Sequence, residues 1–161
     1  LIQEGVDCVI RMGELNNSSL VARPLGRFRW VTCASPDYLR EYGVPSSPEA
    51  LSKHRAVHYF SGQARRADEF RFVRHGETFS VPVSGNAAVN ETGLYIKMCL
   101  AGFGLAQLAE NIVADHLQEG RLVEVLTDWQ PPPVPVTLLY PHQRFLSPAV
   151  RAFAEWMSEV V

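Results

Sequence analysis

The chain contains three serine-proline pairs. They mark helix starts, and the resulting alternation of helices with strand-like segments constrains the fold more than any other feature. A serine before a helix accepts hydrogen bonds from the first helical N–H groups, and proline fits the first helical position because no donor is lost there. The pairs predict helices at residues 36–42, 48–54 and 148–160. Apolar, β-type runs lie between them. The sequence therefore predicts an α/β fold with a mixed or parallel sheet covered on both faces.

The remaining elements follow from apolar periodicity and glycine stops. The chain opens like the last turn of a helix closed by Gly5, followed by an apolar run typical of a buried parallel strand. A helix end without its helix predicts that residue 1 lies within a domain. We expect strands at 6–11, 20–25, 28–34, 56–60, 104–108, 122–126 and 134–140, a hairpin at 69–83, and helices at 91–101 and 110–118.

The order of these elements predicts two lobes. A strand at the start, a middle with its own α/β content, and a final strand and helix indicate a chain that leaves one lobe, builds another and returns. Crossings near Cys33 and Val136 divide the chain into lobe I, residues 1–33 and 136–161, and lobe II, residues 34–135. Two crossings of this kind predict a hinge with a cleft between the lobes.

The charge and the cysteine content exclude some classes of function for this chain. The 161 residues carry 15 Lys and Arg against 17 Asp and Glu, a net charge of −2, without a dense basic stripe. We therefore expect this stretch not to bind nucleic acid by itself. Three scattered cysteines favour reduced thiols and a cytoplasmic protein. The uncharged stretches are too short to cross a bilayer.

No catalytic or metal-binding motif is complete. Gly102 and Gly104 resemble part of a dinucleotide fingerprint, but they come between a helix and a strand, the reverse of the required order, so a helix end and tight turn is preferred. His54 and His58 have a metal-like spacing without further ligands, which favours surface histidines. We predict that the protein is not an enzyme and has neither metal nor cofactor.

Binding residues are better supported. Arg11 and Gly13 follow a buried strand, at the end where open α/β sheets hold ligands, and a cation there suits an anionic small molecule. A structural salt bridge of Arg11 is the alternative. Ser84, Asn86 and Asn90 lie in a predicted loop before the 91–101 helix, whose free N–H groups favour a ligand acceptor. The alternative for Asn90 is simple capping of that helix.

Six segments, in order and at matching spacing, give the chain a resemblance to a known family. They are 5–13 (GVDCVIRMG), 20–26 (LVARPLG), 33–39 (CASPDYL), 101–108 (AGFGLAQL), 120–126 (GRLVEVL), and 140–141 with 147–153 (YP and SPAVRAF). Together they resemble the effector-binding domain of LysR-type bacterial transcriptional regulators, truncated at its N-terminus. The resemblance implies a type II periplasmic-binding-protein fold of two hinged lobes, with a small-molecule inducer in the cleft.

The resemblance also implies the partners and the hinge. By it, the winged helix-turn-helix that binds DNA lies upstream, the domain pairs as a homodimer or tetramer, and Ala34 and Ser35 lie at the hinge. Residue roles carry over only to these two, to Arg11 and Gly13, and to the 84–90 segment. The leading function is an inducer-sensing module for a small organic, anionic effector. The alternative is a solute-binding protein of similar fold that serves a transporter.

Overall fold

The computed structural model describes residues 7–13, 15, 20–60, 69–141 and 147–160, the last three by their backbone alone, and divides the chain into two compact units. The first unit consists of Leu1–Phe28 and Pro133–Val161, and the second of Arg29–Pro132. The predicted lobes divide the chain slightly later at both crossings. The predicted helix end closed by Gly5 lies outside the described residues.

The described residues contain ten strands, four α-helices and a 3-10 helix. In chain order they are β1 (Val9–Met12), β2 (Val21–Phe28), β3 (Trp30–Ala34), α1 (Pro36–Tyr42), the 3-10 helix (Pro48–Lys53), β4 (Arg55–Tyr59), β5 (Phe70–Arg74), β6 (Glu77–Val81), β7 (Ser84–Val89), α2 (Thr92–Leu100), β8 (Ala106–Ala109), α3 (Glu110–Gln118), β9 (Val123–Val125), β10 (Val134–Tyr140) and α4 (Pro148–Val160).

The first unit is a three-stranded sheet in the order β1-β10-β2, packed against α4. Both pairings are antiparallel, so the prediction that the first strand is parallel was wrong for its pairing with β10. That strand is also not buried among the described residues, because Ile10 and Arg11 are exposed. A short apolar run fits either strand direction, which is why periodicity did not reveal the difference. The core here contains Leu25, Val136, Leu138 and Ala154.

The second unit contains antiparallel and parallel pairs. Strand β3 lies between β8 and β9, antiparallel to both, whereas β4 runs parallel to β7. A parallel bridge between Ala56 and Leu105 links β4 to the segment that leads into β8. Strands β5 and β6 form the predicted hairpin, with its turn at His75 and Gly76.

Two apolar cores lie in this unit. One contains Val31, Val57 and Val113 together with Tyr95 and Cys99 of α2. The other contains Tyr38, Leu51, Phe72 and Leu105, along with further residues of β4 and β5. The predicted α/β fold is confirmed.

The serine-proline signals had two outcomes. The side chain of Ser35 accepts from Tyr38 N, and Ser147 Oγ accepts from Val150 N at 3.3 Å, so both act as the predicted caps. Ser47 makes no side-chain cap hydrogen bond, and a 3-10 helix follows it instead of the predicted α-helix. The His54 N–H donates to Leu51 O, which tightens this short segment.

Tyr38 joins α1 to β4 through its buried hydroxyl. The oxygen accepts from Arg55 N at 2.8 Å, and lies 3.2 Å from Arg55 O and 3.1 Å from His54 Nδ1. His54 is itself buried, and burial lowers its pKa. The prediction that His54 lies at the surface was wrong, because the 3-10 helix turns its ring toward Tyr38.

We predict that Tyr38→Phe lowers the free energy of unfolding by about 1–3 kcal/mol, because the Arg55 N–H loses its partner at a partly buried position. Urea denaturation measures the change. Tyr42→Phe, on the same helix, is the matched control and is expected to cost less than about 0.5 kcal/mol. Equal losses in the two variants would contradict the role of the Tyr38 hydroxyl.

Candidate functional site

Arg11 lies in β1 directly opposite Thr137 of the central strand β10. Directly paired residues point to the same side of a sheet, so the guanidinium stem and the Thr137 side chain share a face. Arg11 is exposed and forms no ion pair with any described residue, whereas Thr137 is buried. The alternative of a structural salt bridge is therefore not found within the described part of the chain. This leaves an exposed cation in strand register with a buried threonine.

Gly13 follows Met12, the last residue of β1, two positions after Arg11. Its N–H donates to Pro135 O at 2.9 Å, and its φ of +97° is one that side chains with a Cβ rarely adopt. The glycine thus closes β1 against β10. A Cβ would meet nothing within 4 Å, so the backbone angle, not space, requires glycine here.

Thr137 is the residue that sequence reasoning missed in this unit. The strand Val134–Tyr140 was predicted from its apolar character, and Thr137 stands in it between Val136 and Leu138. A lone hydroxyl within an apolar strand is the signal that could have identified it. Its alignment with Arg11 depends on strand register, which the sequence does not show.

Ser84 and Asn86 lie on a strand, so the prediction of a loop from Ser84 to Asn90 was wrong. Residues Ser84–Val89 form β7, parallel to β4. Ser84, Asn86 and Ala88 are exposed on one face, while Ala87 and Val89 pack into the core on the other. Glycine, asparagine and alanine have low strand propensity, and here the pairing with β4 overrides it.

Glu91, not Asn90, caps α2. One carboxylate oxygen accepts from Gly93 N at 2.7 Å and the other from Leu94 N at 2.6 Å. These two hydrogen bonds lower the pKa of Glu91. The helix N-terminus that was predicted to hold a ligand acceptor therefore already holds a carboxylate of the chain itself. Asn90 is exposed, and its carbonyl oxygen accepts from the Tyr59 hydroxyl at 3.4 Å.

The predicted hinge residues lie inside the second unit. Ala34 is the fully buried last residue of β3, and Ser35 is the buried cap of α1. Their role as a hinge stays a prediction.

Gly102 and the cysteines Cys33 and Cys99 occupy positions that the packing and helix ends of the fold explain. Gly102 follows the end of α2 with φ +79°, and its N–H donates to Cys99 O, as expected of a helix end. Cys33 and Cys99 are buried and free, and the neighbouring Cys99 thiol raises the pKa of Cys33.

Within the described ranges, no group of three metal-binding side chains occurs, and no helix combines the length and apolar character needed to cross a membrane.

Comparison with known proteins identifies the family to which the chain is similar. The profile of the LysR substrate binding domain family matches residues 1–161. The chain is 35% identical over 161 residues to YhjC, an uncharacterized HTH-type transcriptional regulator of Escherichia coli, covering all of this chain and 54% of the relative. It is 36% identical over 160 residues to an HTH-type transcriptional repressor of Pseudomonas aeruginosa, covering 99% and 50%. The chain thus spans about half the length of these relatives.

The structural comparison agrees. The regulatory domain of CrgA, a LysR-type transcriptional regulator of Neisseria meningitidis, superposes with a TM-score of 0.81 at 26% identity, covering 99% of this chain and 78% of that one. The chain belongs to the LysR substrate-binding domain family, and its fold is of the type II periplasmic-binding-protein kind. The resemblance found in the sequence is confirmed.

We predict that Glu91→Gln lowers the melting temperature at pH 7, because the carboxylate caps two N–H groups. Since the folded-state pKa of Glu91 is depressed, this stabilisation is complete above the unfolded pKa and is lost as the pH falls through the folded pKa. Thermal denaturation from pH 7 to pH 3 should show the difference from the native domain shrinking. Glu77→Gln in β6 is the control; a difference that does not depend on pH would contradict charge-assisted capping.

Proposed function

We propose that this domain senses a small organic, anionic effector on behalf of a transcriptional regulator. The observation that carries the proposal is Arg11: an exposed cation without an ion-pair partner among the described residues, in register with buried Thr137 in a domain of the substrate-binding family. A carboxylate that met this guanidinium would gain a charge-assisted hydrogen bond. Effector binding would shift the population of domain arrangements.

The other predicted residues have complementary roles in this proposal. Gly13 fixes the chain direction after Arg11. Ser84, Asn86 and Asn90 of the second unit offer uncharged donors and acceptors for effector binding, and Ala34 and Ser35 act as the hinge. The exposure of Ser84 and Asn86 on one face of β7 supports their availability to a ligand.

Properties of the whole protein follow as part of the proposal. Its relatives are HTH-type regulators about twice as long as this chain, and the net charge of −2 does not favour DNA binding by this domain. DNA would be bound by a separate winged helix-turn-helix, in a cytoplasmic homodimer or tetramer. The domain would bind its effector without transforming it and without a cofactor. The alternative of a transport solute-binding protein is not supported, because the relatives are transcriptional regulators.

Arg11→Gln is expected to weaken binding of a carboxylate effector about ten- to a hundredfold, the value of a hydrogen bond to a charged group. A panel of acids including succinate, benzoate and hydroxybenzoates, ranked by thermal shift, supplies the ligand for calorimetry. Arg27→Gln, an exposed arginine of the same sheet, is the matched control. Unchanged affinity in the Arg11 variant would show that this guanidinium does not hold the carboxylate.

Asn86→Asp and Asn86→Ala separate charge from hydrogen bonding. The aspartate keeps the size of the side chain but repels an anion, whereas the alanine removes hydrogen bonds worth about 1 kcal/mol. Affinity for the ligand identified above should fall further with aspartate. Ser80→Asp on exposed β6 controls for a general charge effect. Equal losses would place Asn86 away from the charge, and no loss in either would place the ligand elsewhere.

A further inference from the structure

The junction of α1 and β4 contains a buried tyrosine hydroxyl with two acceptors within reach. Tyr38 is 1% exposed, and the neighbouring His54 is 7% exposed. The hydroxyl oxygen lies 3.1 Å from His54 Nδ1 and 3.2 Å from Arg55 O. Since a hydroxyl carries one proton, it donates to only one of these two atoms at a time. The junction therefore has two alternative hydrogen-bond arrangements.

The protonation state of His54 decides between the two arrangements. An Nδ1 without a proton accepts from the Tyr38 hydroxyl. A protonated Nδ1 is a donor, so the Tyr38 oxygen accepts from it, and the hydroxyl proton turns to Arg55 O. The Arg55 N–H donates to the Tyr38 oxygen at 2.8 Å in both arrangements. Arg55 O, which already accepts from Leu105 N at 2.9 Å, then holds two hydrogen bonds.

The side chains at the centre of the junction are uncharged at pH 7. Burial lowers the pKa of His54, because desolvation disfavours the imidazolium. Burial also raises the pKa of Tyr38. Tyr42, whose ring centroid lies 4.8 Å from that of Tyr38, has a raised pKa because of its hydrogen bond with Glu41. A proton added to His54 would therefore place a positive charge among neutral groups.

The charged groups of the surrounding elements do not compensate a positive imidazolium. The described elements packed there carry Asp37, Arg40 and Glu41 on α1, Glu49 and Lys53 on the 3-10 helix, Arg55 on β4, Glu77 on β6 and Lys97 on α2. Within the part of the chain that the structure describes, no carboxylate is ion-paired with His54. Asp37 pairs instead with Arg40, and Glu49 with Arg74. Protonation thus creates a buried charge without a counter-ion, which is costly.

We propose that this junction is an acid-sensitive switch: protonation of His54 turns the Tyr38 hydroxyl from His54 Nδ1 to Arg55 O and weakens the attachment of α1 to β4. The switch acts within the second unit and needs no effector. Because the folded-state pKa of His54 is depressed, the stabilisation by the neutral ring is complete above the unfolded pKa. It is lost as the pH falls through the folded pKa.

The first test compares the acid sensitivity of two variants with that of the native chain. His54→Asn places an amide oxygen within reach of the Tyr38 hydroxyl but takes up no proton between pH 7 and pH 5. His75→Asn in the exposed hairpin turn is the matched control, because asparagine tolerates its φ of +52°. Urea denaturation at pH 7 and at pH 5 measures the folding constant of each protein.

We expect the folding constant of the native chain to fall on acidification by about three- to twenty-five-fold more than that of His54→Asn. The upper limit is set by an unfolded histidine with a pKa near 6.5 that is not protonated in the folded chain. His75→Asn should lose as much stability as the native chain. Equal falls in the native chain and in His54→Asn would overturn the proposal.

Nitrogen-15 NMR of the histidine rings observes the switch itself and does not require a variant to fold. The chain has five histidines, and contacts with the Tyr38 ring protons assign the His54 signals. We expect the neutral ring to carry its proton on Nε2 at pH 7, and to titrate at a lower pH than the exposed His75.

Two results of this measurement would contradict the switch. A proton on Nδ1 at pH 7 would show that the Tyr38 hydroxyl already faces Arg55 O and has no other position to turn from. Acid unfolding before the His54 signals begin to move would show that the hydroxyl does not turn within the folded chain.

Discussion

Strand β4 lies between two neighbouring segments whose backbones approach it closely, and the strand pairing of the second unit depends on these two contacts. A Cβ at Gly85 would lie 2.1 Å from Ala56 O, and one at Gly104 would lie 2.6 Å from Arg55 O. Because both neighbours approach β4 through glycine, β7 can pair with it on one side, and the segment leading into β8 on the other. The pairing with β7 makes the 84–89 segment a strand and turns Ser84 and Asn86 outward.

Local signals in the sequence predicted most elements but not their partners. The helix at 36–42 was exact because Ser35, Pro36 and Gly43 define its ends by local chemistry. The strand β7 was missed because its stability comes from β4, nearly thirty residues earlier, and not from its own residues. The cap of α2 was assigned to Asn90, although the longer Glu91 side chain reaches two N–H groups from the next position. Thr137 and Arg11 are juxtaposed by strand register, which a single sequence does not contain.

The two units, each considered by itself, differ in the charge of their candidate binding residues. In the first unit a cation is left unpaired among the described residues at Arg11. In the second, the Glu91 carboxylate caps the N-terminus of α2, so the candidate groups there are uncharged amides and a hydroxyl. Glu91 thereby occupies the α2 N-terminus, where the sequence alone favoured a ligand acceptor.

A crystal structure of the domain with the most stabilising acid of the panel tests this account most directly. The account predicts the carboxylate within hydrogen-bonding distance of the Arg11 guanidinium. A ligand bound elsewhere, for example on the outer surface of α4, with the Arg11 guanidinium free of it, would contradict the account.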